Sequence, residues 1–270
     1  MSDNTPIPCG GFTPKPTDML HPEQIDDLKG RAHQAVAQVL ADPLTPERLA
    51  QLRQQVNTEI RSVVTTFHDH TNHVFRVACA AGCNHCCTIP VSVRPHEVFA
   101  LMWWFEQTYT PEQQAVSLVT VRERNHAMLS HTPQTRLAAG ILCGLNGPDG
   151  SCLVYPVQPM PCAQYTSFDV GKCRFARNNG NQYPIDGVAN QYEMFQTVGN
   201  ATTQAFFNAG LPIDLLEITA AIVAYLDTPD AWDIWYTQRR NPFPNAVWTL
   251  RGTWYDDGTP IAEQSPSPAA

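Results

Sequence analysis

The chain has 270 residues, enough to bury a sizeable core, and its composition gives no reason to divide it into independent domains. Charged residues make up 16% of it, and 25 acidic against 17 basic side chains leave a formal net charge of -8. That balance argues against nucleic acid as a partner, because displacing backbone counterions needs concentrated Lys and Arg.

The N-terminus, MSDNTPIPCGG, has neither a basic start nor an apolar stretch, so no secretory signal is expected and the cytoplasm is the expected compartment. Residues 1–20 read as an irregular N-terminal arm and 256–270 as a flexible C-terminal tail, both rich in Pro, Gly, Ser and Asp without an apolar period. Residues 21–255 between them read as a single, mainly α-helical domain. Ile25, Leu28, Ala32, Ala35, Val36 and Val39 recur at helical spacing, and so do Leu49, Leu52, Val56, Ile60, Val63 and Phe67. Thr45-Pro46 supplies a start signal for the second of these helices.

A third helix is predicted from near Pro95, carrying Val98, Leu101, Met102 and Phe105 inward. The next starts at Thr110-Pro111, where Thr110 and Gln113 form a capping box. A long irregular stretch is expected from about 140 to 190, then helices over 191–209 and 213–226 and a shorter one at 230–238. The best apolar run, Ile218 to Leu226, is far below the roughly 20 residues of a bilayer span, so no membrane partner is expected.

The long stretch is unusual, because loops of that length inside a domain need something other than a backbone ladder to hold them. This one contains four cysteines: Cys143, Cys152, Cys162 and Cys173. Four more precede it in CAAGCNHCC, as Cys79, Cys83, Cys86 and Cys87, whereas Cys9 stands apart as a spare thiol in a Pro/Gly-rich leader. In the expected compartment thiols stay reduced, so clustered cysteines point to metal or redox chemistry before disulfides or simple burial.

Zinc favours four tetrahedral ligands, often from two short CxxC hooks, and only Cys83 and Cys86 have that spacing. Iron–sulfur clusters take thiolates at short spacings and tolerate wider separations. Adjacent Cys86 and Cys87 cannot easily both point at one small ion. A multinuclear cluster or two neighbouring sites is therefore attractive, and an iron–sulfur cluster is favoured over zinc. His85 lies within the first group and His68, His70 and His73 end the second helix, so imidazole ligation is a further option, though polar residues at a helix end need no metal.

Over about residues 75–175, the expected cysteine-cluster core, the chain resembles the YkgJ-like cysteine-cluster family, bacterial proteins taken to chelate zinc or iron. The resemblance lies in CNHCC, then SCLVYPVQPMPC, then Cys173. It implies that all eight cysteines bind metal. Family members commonly carry Arg before the Pro and Arg just after the following Cys, where this chain has Gln158 and Ala163. Any cluster-orienting or anion-binding role of those arginines is then absent or displaced. Glu97 sits where the family often has a carboxylate and could support the site, although a solvated helix residue is the commoner explanation.

Some relatives are parts of protein-modifying enzymes, so an iron–sulfur enzyme of protein modification or redox chemistry is one alternative function. Cys79, Cys83 and Cys86 match the CxxxCxxC spacing of radical S-adenosylmethionine enzymes, but here the motif follows a helix in a chain without βα alternation. A helical interaction protein with a structural metal site is the other alternative, with Trp103, Trp104, Trp232, Trp235, Trp248 and Trp254 available as a surface.

Overall fold

The computed structural model describes residues 21–70, 77–131, 133–180 and 185–247. The expected arm at 1–20 and tail at 256–270, together with Cys9, His73, Trp248 and Trp254, lie outside the described residues, as do the side chains of His68 and His70. The architecture is mainly helical, as the apolar periodicity requires. In chain order the helices are α1 (Pro22–Ala41), α2 (Pro46–His70), α3 (Pro95–Thr108), α4 (Pro111–Leu129) and α5 (Pro133–Ala139). They continue with α6 (Met160–Gln164), α7 (Val170–Asn178), α8 (Ala189–Asn208), α9 (Ile218–Leu226) and α10 (Ala231–Tyr236).

Local chemistry sets the starts of these helices. Pro22, Pro46, Pro95 and Pro111 each occupy a first helical position, where the missing N–H costs nothing. Thr45 Oγ1 accepts the Arg48 N–H at 3.3 Å, and the Thr110–Gln113 box closes with the Thr110 N–H donating to Gln113 Oε1 at 2.9 Å. One face of α1 buries Leu28, Ala32 and Val36, and one face of α2 buries Leu49, Leu52 and Ile60.

α3 is the central element, buried from Pro95 through Met102 and again at Phe105. It packs on α2, while α1 and α6 pack on α8 and α4 packs on α9. Phe99 meets Trp232, Trp235 and Phe243 at ring separations of 5.0, 5.2 and 5.7 Å. Burying each such ring contributes about 1.5–3 kcal/mol. Trp235 is fully buried and donates its indole N–H to the Pro212 carbonyl at 2.9 Å, while Trp103, Trp104 and Trp232 pack half-buried against the same core. Among the described residues the tryptophans therefore build the interior rather than an exposed docking surface. A second apolar cluster joins Leu28 and Ala32 of α1, Ile60 of α2, Ala163 of α6 and Phe195 of α8.

Two departures from the expected elements matter. The stretch from about 140 to 190 is not uniformly irregular: a 3-10 turn at Tyr155–Val157 and helices α6 and α7 lie within it. These pieces are too short to display a helical period. The helix expected from 213 starts at Ile218, because Leu216 and Glu217 form a strand, β2, antiparallel to β1 (Ser92–Val93). Glu217 then caps α9, its Oε2 accepting the Ala220 N–H at 2.8 Å. The pairing anchors the chain that leaves Cys87 to the start of α9.

Among the described residues no helix is long and apolar enough to cross a membrane.

Candidate metal centre

The first cysteine group lies on a folded connection between α2 and β1. The Ala78 N–H donates to the Ser167 carbonyl at 2.7 Å, fixing the chain just before Cys79. A turn follows through Gly82 at φ +80°, closed by the Cys83 N–H on the Ala80 carbonyl at 3.0 Å. Cys86 and Cys87 then sit on a 3-10 turn, His85–Thr88, held by the Cys87 N–H on Asn84 O and the Ile89 N–H on Cys86 O.

The second group comes to meet the first. The Cys143 N–H donates to the Cys87 carbonyl at 2.7 Å, stitching the two segments together through the backbone. From Cys143 the chain makes a tight hairpin, bridged between Asn146 and Cys152 and closed by the Leu153 N–H on Leu145 O at 2.9 Å. Cys162 rides on α6. Cys173 rides on α7, which starts where the Asp169 carboxylate accepts the N–H groups of Gly171 and Lys172.

All eight are free thiols. Cys143 is buried, and Cys87, Cys152 and Cys162 pack half-buried against the main core, whereas Cys79 and Cys86 are exposed and Cys83 and Cys173 half-buried outside it. Burial pushes the Cys143 thiol up to about 12 and Cys79 up to about 11, and it raises Cys152, Cys162 and Cys173 as well. Each of these thiols also feels neighbouring cysteines, and Cys86 acts on Cys79, Cys87, Cys152, Cys162 and Cys173. The adjacent thiols act on each other, lowering Cys86 and, together with burial, raising Cys87 far above the ordinary thiol range.

Polar groups converge on these sulfurs from distant parts of the chain. Asn146 Nδ2 approaches Cys87 Sγ at 4.0 Å and also donates to the Gly150 carbonyl at 2.6 Å. Asn84 donates to Asn146 Oδ1 at 3.3 Å and accepts from Arg177 at 3.2 Å, so a relay runs from α7 to the buried side of the centre. Arg124 Nη1 gathers the carbonyls of Cys143 and Asn146 at 2.6 and 2.7 Å. Arg136, buried, pairs with Glu217 at 2.6 Å and lowers the Cys143 thiol by its charge. Its Nε and Nη2 have no hydrogen-bond partner among the described residues.

Gln158, standing where the resembled pattern has arginine, lowers the Cys152 thiol and accepts from Arg61 of α2 at 2.7 Å. The Arg61 guanidinium also lies 4.5 Å over the Tyr155 ring and lowers the Cys152 thiol, so positive charge reaches this position from another helix. Ala163, at the second such position, is buried, and its carbonyl accepts from Gln191 Nε2 at 2.9 Å while its N–H donates to the Pro159 carbonyl at 3.0 Å. Glu97 is not a solvated helix residue. It is 5% exposed, its Oε1 accepts the Met160 N–H and its Oε2 the Arg94 N–H, and it acts on Cys162.

Burial first, then Arg177 and Arg174, lowers the His85 imidazole below its ordinary value, and its buried Nδ1 has no partner among the described residues. The supporting residues Arg61, Arg124, Arg136 and Asn146 carried no signal in the cysteine spacing. They arrive from sequence distances that only the tertiary fold closes.

Among the described residues no group of three or more His, Cys, Asp or Glu side chains has the geometry to hold a metal ion. The fit to a metal is one of donor chemistry: soft thiols drawn from both groups, with amide and guanidinium donors around them. A groove of about 440 Å³ between α1 and α8, lined by Lys29, His33, Tyr192 and Gln196, includes no cysteine. Compared with known proteins, the chain matches no family model, no curated protein and no solved structure.

Proposed function

We propose that this protein binds metal through its eight clustered cysteines, with an iron–sulfur cluster as the favoured cofactor and zinc as the other candidate. The observation that carries the reading is the convergence of two cysteine groups, remote in sequence, at the Cys87–Cys143 backbone contact, with every thiol free. Bound there, the metal would tie the connection after α2 to the hairpin, α6 and α7. Metal bonds would thus contribute directly to the stability of the fold.

Three features support iron–sulfur over zinc. Adjacent Cys86 and Cys87 start in different directions, which suits a multinuclear core better than one small ion. Donors of the Asn146, Gln158 and Arg136 type suit sulfide and thiolate acceptors, and hydrogen bonds to the sulfurs are one means by which a protein sets a cluster's potential. Spacing is the third, since only Cys83 and Cys86 have the CxxC spacing from which zinc hooks are usually built.

Purification of the full chain without oxygen, followed by iron, zinc and acid-labile sulfide assays, tests the reading. Iron with sulfide, or stoichiometric zinc, is the expected result. A folded protein with neither metal and with four disulfides would overturn it.

A further inference from the structure

We infer that Cys87 and Cys143 are a redox pair: a low-molecular-weight disulfide, entering at exposed Cys86, oxidises the metal-free chain to a single Cys87–Cys143 disulfide joining the two cysteine segments. The inference concerns the thiols themselves and stands whether or not a metal binds them.

The backbone sets the distance. The Cys143 N–H donates to the Cys87 carbonyl at 2.7 Å, and among the described residues no other two cysteines are hydrogen-bonded to each other through the backbone. With N–Cα about 1.5 Å and a carbonyl oxygen about 2.4 Å from its own Cα, that contact keeps the two α-carbons within about 6.6 Å. Disulfide-bonded cysteines span about 4.4–6.8 Å between α-carbons. Adjacent Cys86 and Cys87, about 3.8 Å apart by the same measure, fall below that range and could bond only under strain.

The side chains share one surrounding. Asn146 Nδ2 lies 4.0 Å from Cys87 Sγ, and the Asn146 N–H donates to the Cys143 carbonyl at 3.1 Å, so the Cys87 sulfur lies against the turn that begins at Cys143. Cys143 belongs to the main apolar core and Cys87 packs against it. That turn is held from two further sides. Arg124 Nη1 binds the Cys143 and Asn146 carbonyls, and the Gly144 N–H donates to Thr219 Oγ1 at 3.3 Å. A Cβ at Gly144 would stand 2.8 Å from Thr219 Cγ2, so the turn is pressed onto α9. The approach of Cys143 to Cys87 therefore belongs to the packed fold, and closing the bond needs side-chain rotation without backbone rearrangement.

Exposure sets the route. Cys86 is exposed, Cys87 half-buried and Cys143 buried. The Cys86 thiolate attacks one sulfur of the reagent, breaking its S–S bond and releasing one reduced thiol. Cys87 then displaces the second reduced thiol from Cys86, giving a strained bond between neighbours. Cys143 attacks the Cys87 sulfur, and Cys86 leaves as a free thiol again. In total two protein thiols give up two electrons and two protons, which depart on the two reduced molecules of the reagent.

The test uses full-length protein, reduced, freed of metal with chelator and equilibrated without oxygen in mixtures of reduced and oxidised glutathione. Samples are quenched with acid, alkylated and digested with trypsin. The first internal bond to persist should join the peptide carrying Cys79, Cys83, Cys86 and Cys87 to the one carrying Cys143, and fragmentation should place it at Cys87–Cys143. Cys86→Ser should reach the same bond several-fold more slowly, and Cys143→Ala should accumulate glutathione in its place. The oxidised parent should unfold at a higher urea concentration than the reduced parent, because the bond closes a long loop in a geometry the fold already holds. A first persistent bond between any other two cysteines, Cys87 and Cys143 still alkylated after the exposed thiols carry glutathione, or an oxidised parent that unfolds at lower urea would overturn the pair. Equal rates in Cys86→Ser and parent would overturn the relay.

Discussion

Glu97 Oε1 accepts the backbone N–H of Met160 at 2.9 Å, a contact spanning 63 residues, while the other oxygen of the same carboxylate accepts the Arg94 N–H at 3.0 Å. One buried side chain thus satisfies orphan donors at the starts of both α3 and α6, and α6 carries Cys162. Glu97→Ala should lower the free energy of unfolding by about 2–4 kcal/mol, the cost of leaving buried donors unpaired. Glu97→Gln, which keeps one acceptor oxygen, should lose less. Urea titration of both variants measures this, and equal losses would contradict the double-capping role.

A second buried group makes stability depend on acidity. His96 lies against Phe206, with ring centroids 4.6 Å apart, and burial, then Arg94 and Arg53, hold its imidazole down at about 3 from the ordinary 6.5. Between those values the unfolded chain takes up a proton that the folded chain refuses, so stability is complete above pH 6.5 and falls as the pH falls toward 3. The loss from pH 7 to pH 4 attributable to His96 should be on the order of 3 kcal/mol. His96→Phe keeps an aromatic ring without the titration. An unfolding series on that variant should show a shallower acid dependence, and an unchanged slope would remove His96 from the account.

Gly150 links the two cysteine segments by close approach. Its φ is +83°, and a Cβ there would stand 2.9 Å from the Gly82 carbonyl oxygen, in the turn between Cys79 and Cys83. Gly150→Ala should cost about 1–3 kcal/mol and loosen metal retention, because it combines left-handed strain with a backbone clash. Gly140→Ala is the control: φ is +64° there, but nothing lies within 4 Å of the added carbon. Thermal melts of the two variants with equal effects would show that strain alone operates and that the approach to Gly82 is immaterial.

The helices that could be read from sequence are those with long stripes or explicit caps. α1 and α2 announce themselves through apolar periodicity, and α4 through Thr110, Pro111 and Gln113. α6 and α7 escaped because five and nine residues give too few turns for a period. Asp169 ahead of Val170 was a usable capping signal for α7. β2 was hidden in an apolar run that continues directly into α9, where only pairing with Ser92 and Val93 separates strand from helix.

For the centre, the eight cysteines were legible as a set, because thiols at short spacing are rare without a purpose. Their division between core and surface was not, since Cys86 and Cys87 differ in environment while being neighbours in the chain. The surrounding donors were less legible still. Arg61, Arg124 and Arg136 look like ordinary helix residues until the hairpin and α9 fold against them.

The central claim is that cysteines from both groups hold metal together, and a matched ligand-substitution series tests it most directly. Cys87→Ser and Cys162→Ser are prepared without oxygen at the same metal loading as the parent, and their absorption and electron paramagnetic resonance spectra, or cobalt-substituted spectra if the metal is zinc, are compared. Both variants should perturb the same signal to a similar extent if, as proposed, cysteines of both groups serve one shared centre. An intact, unaltered signal in both would exclude these positions as ligands and contradict the account.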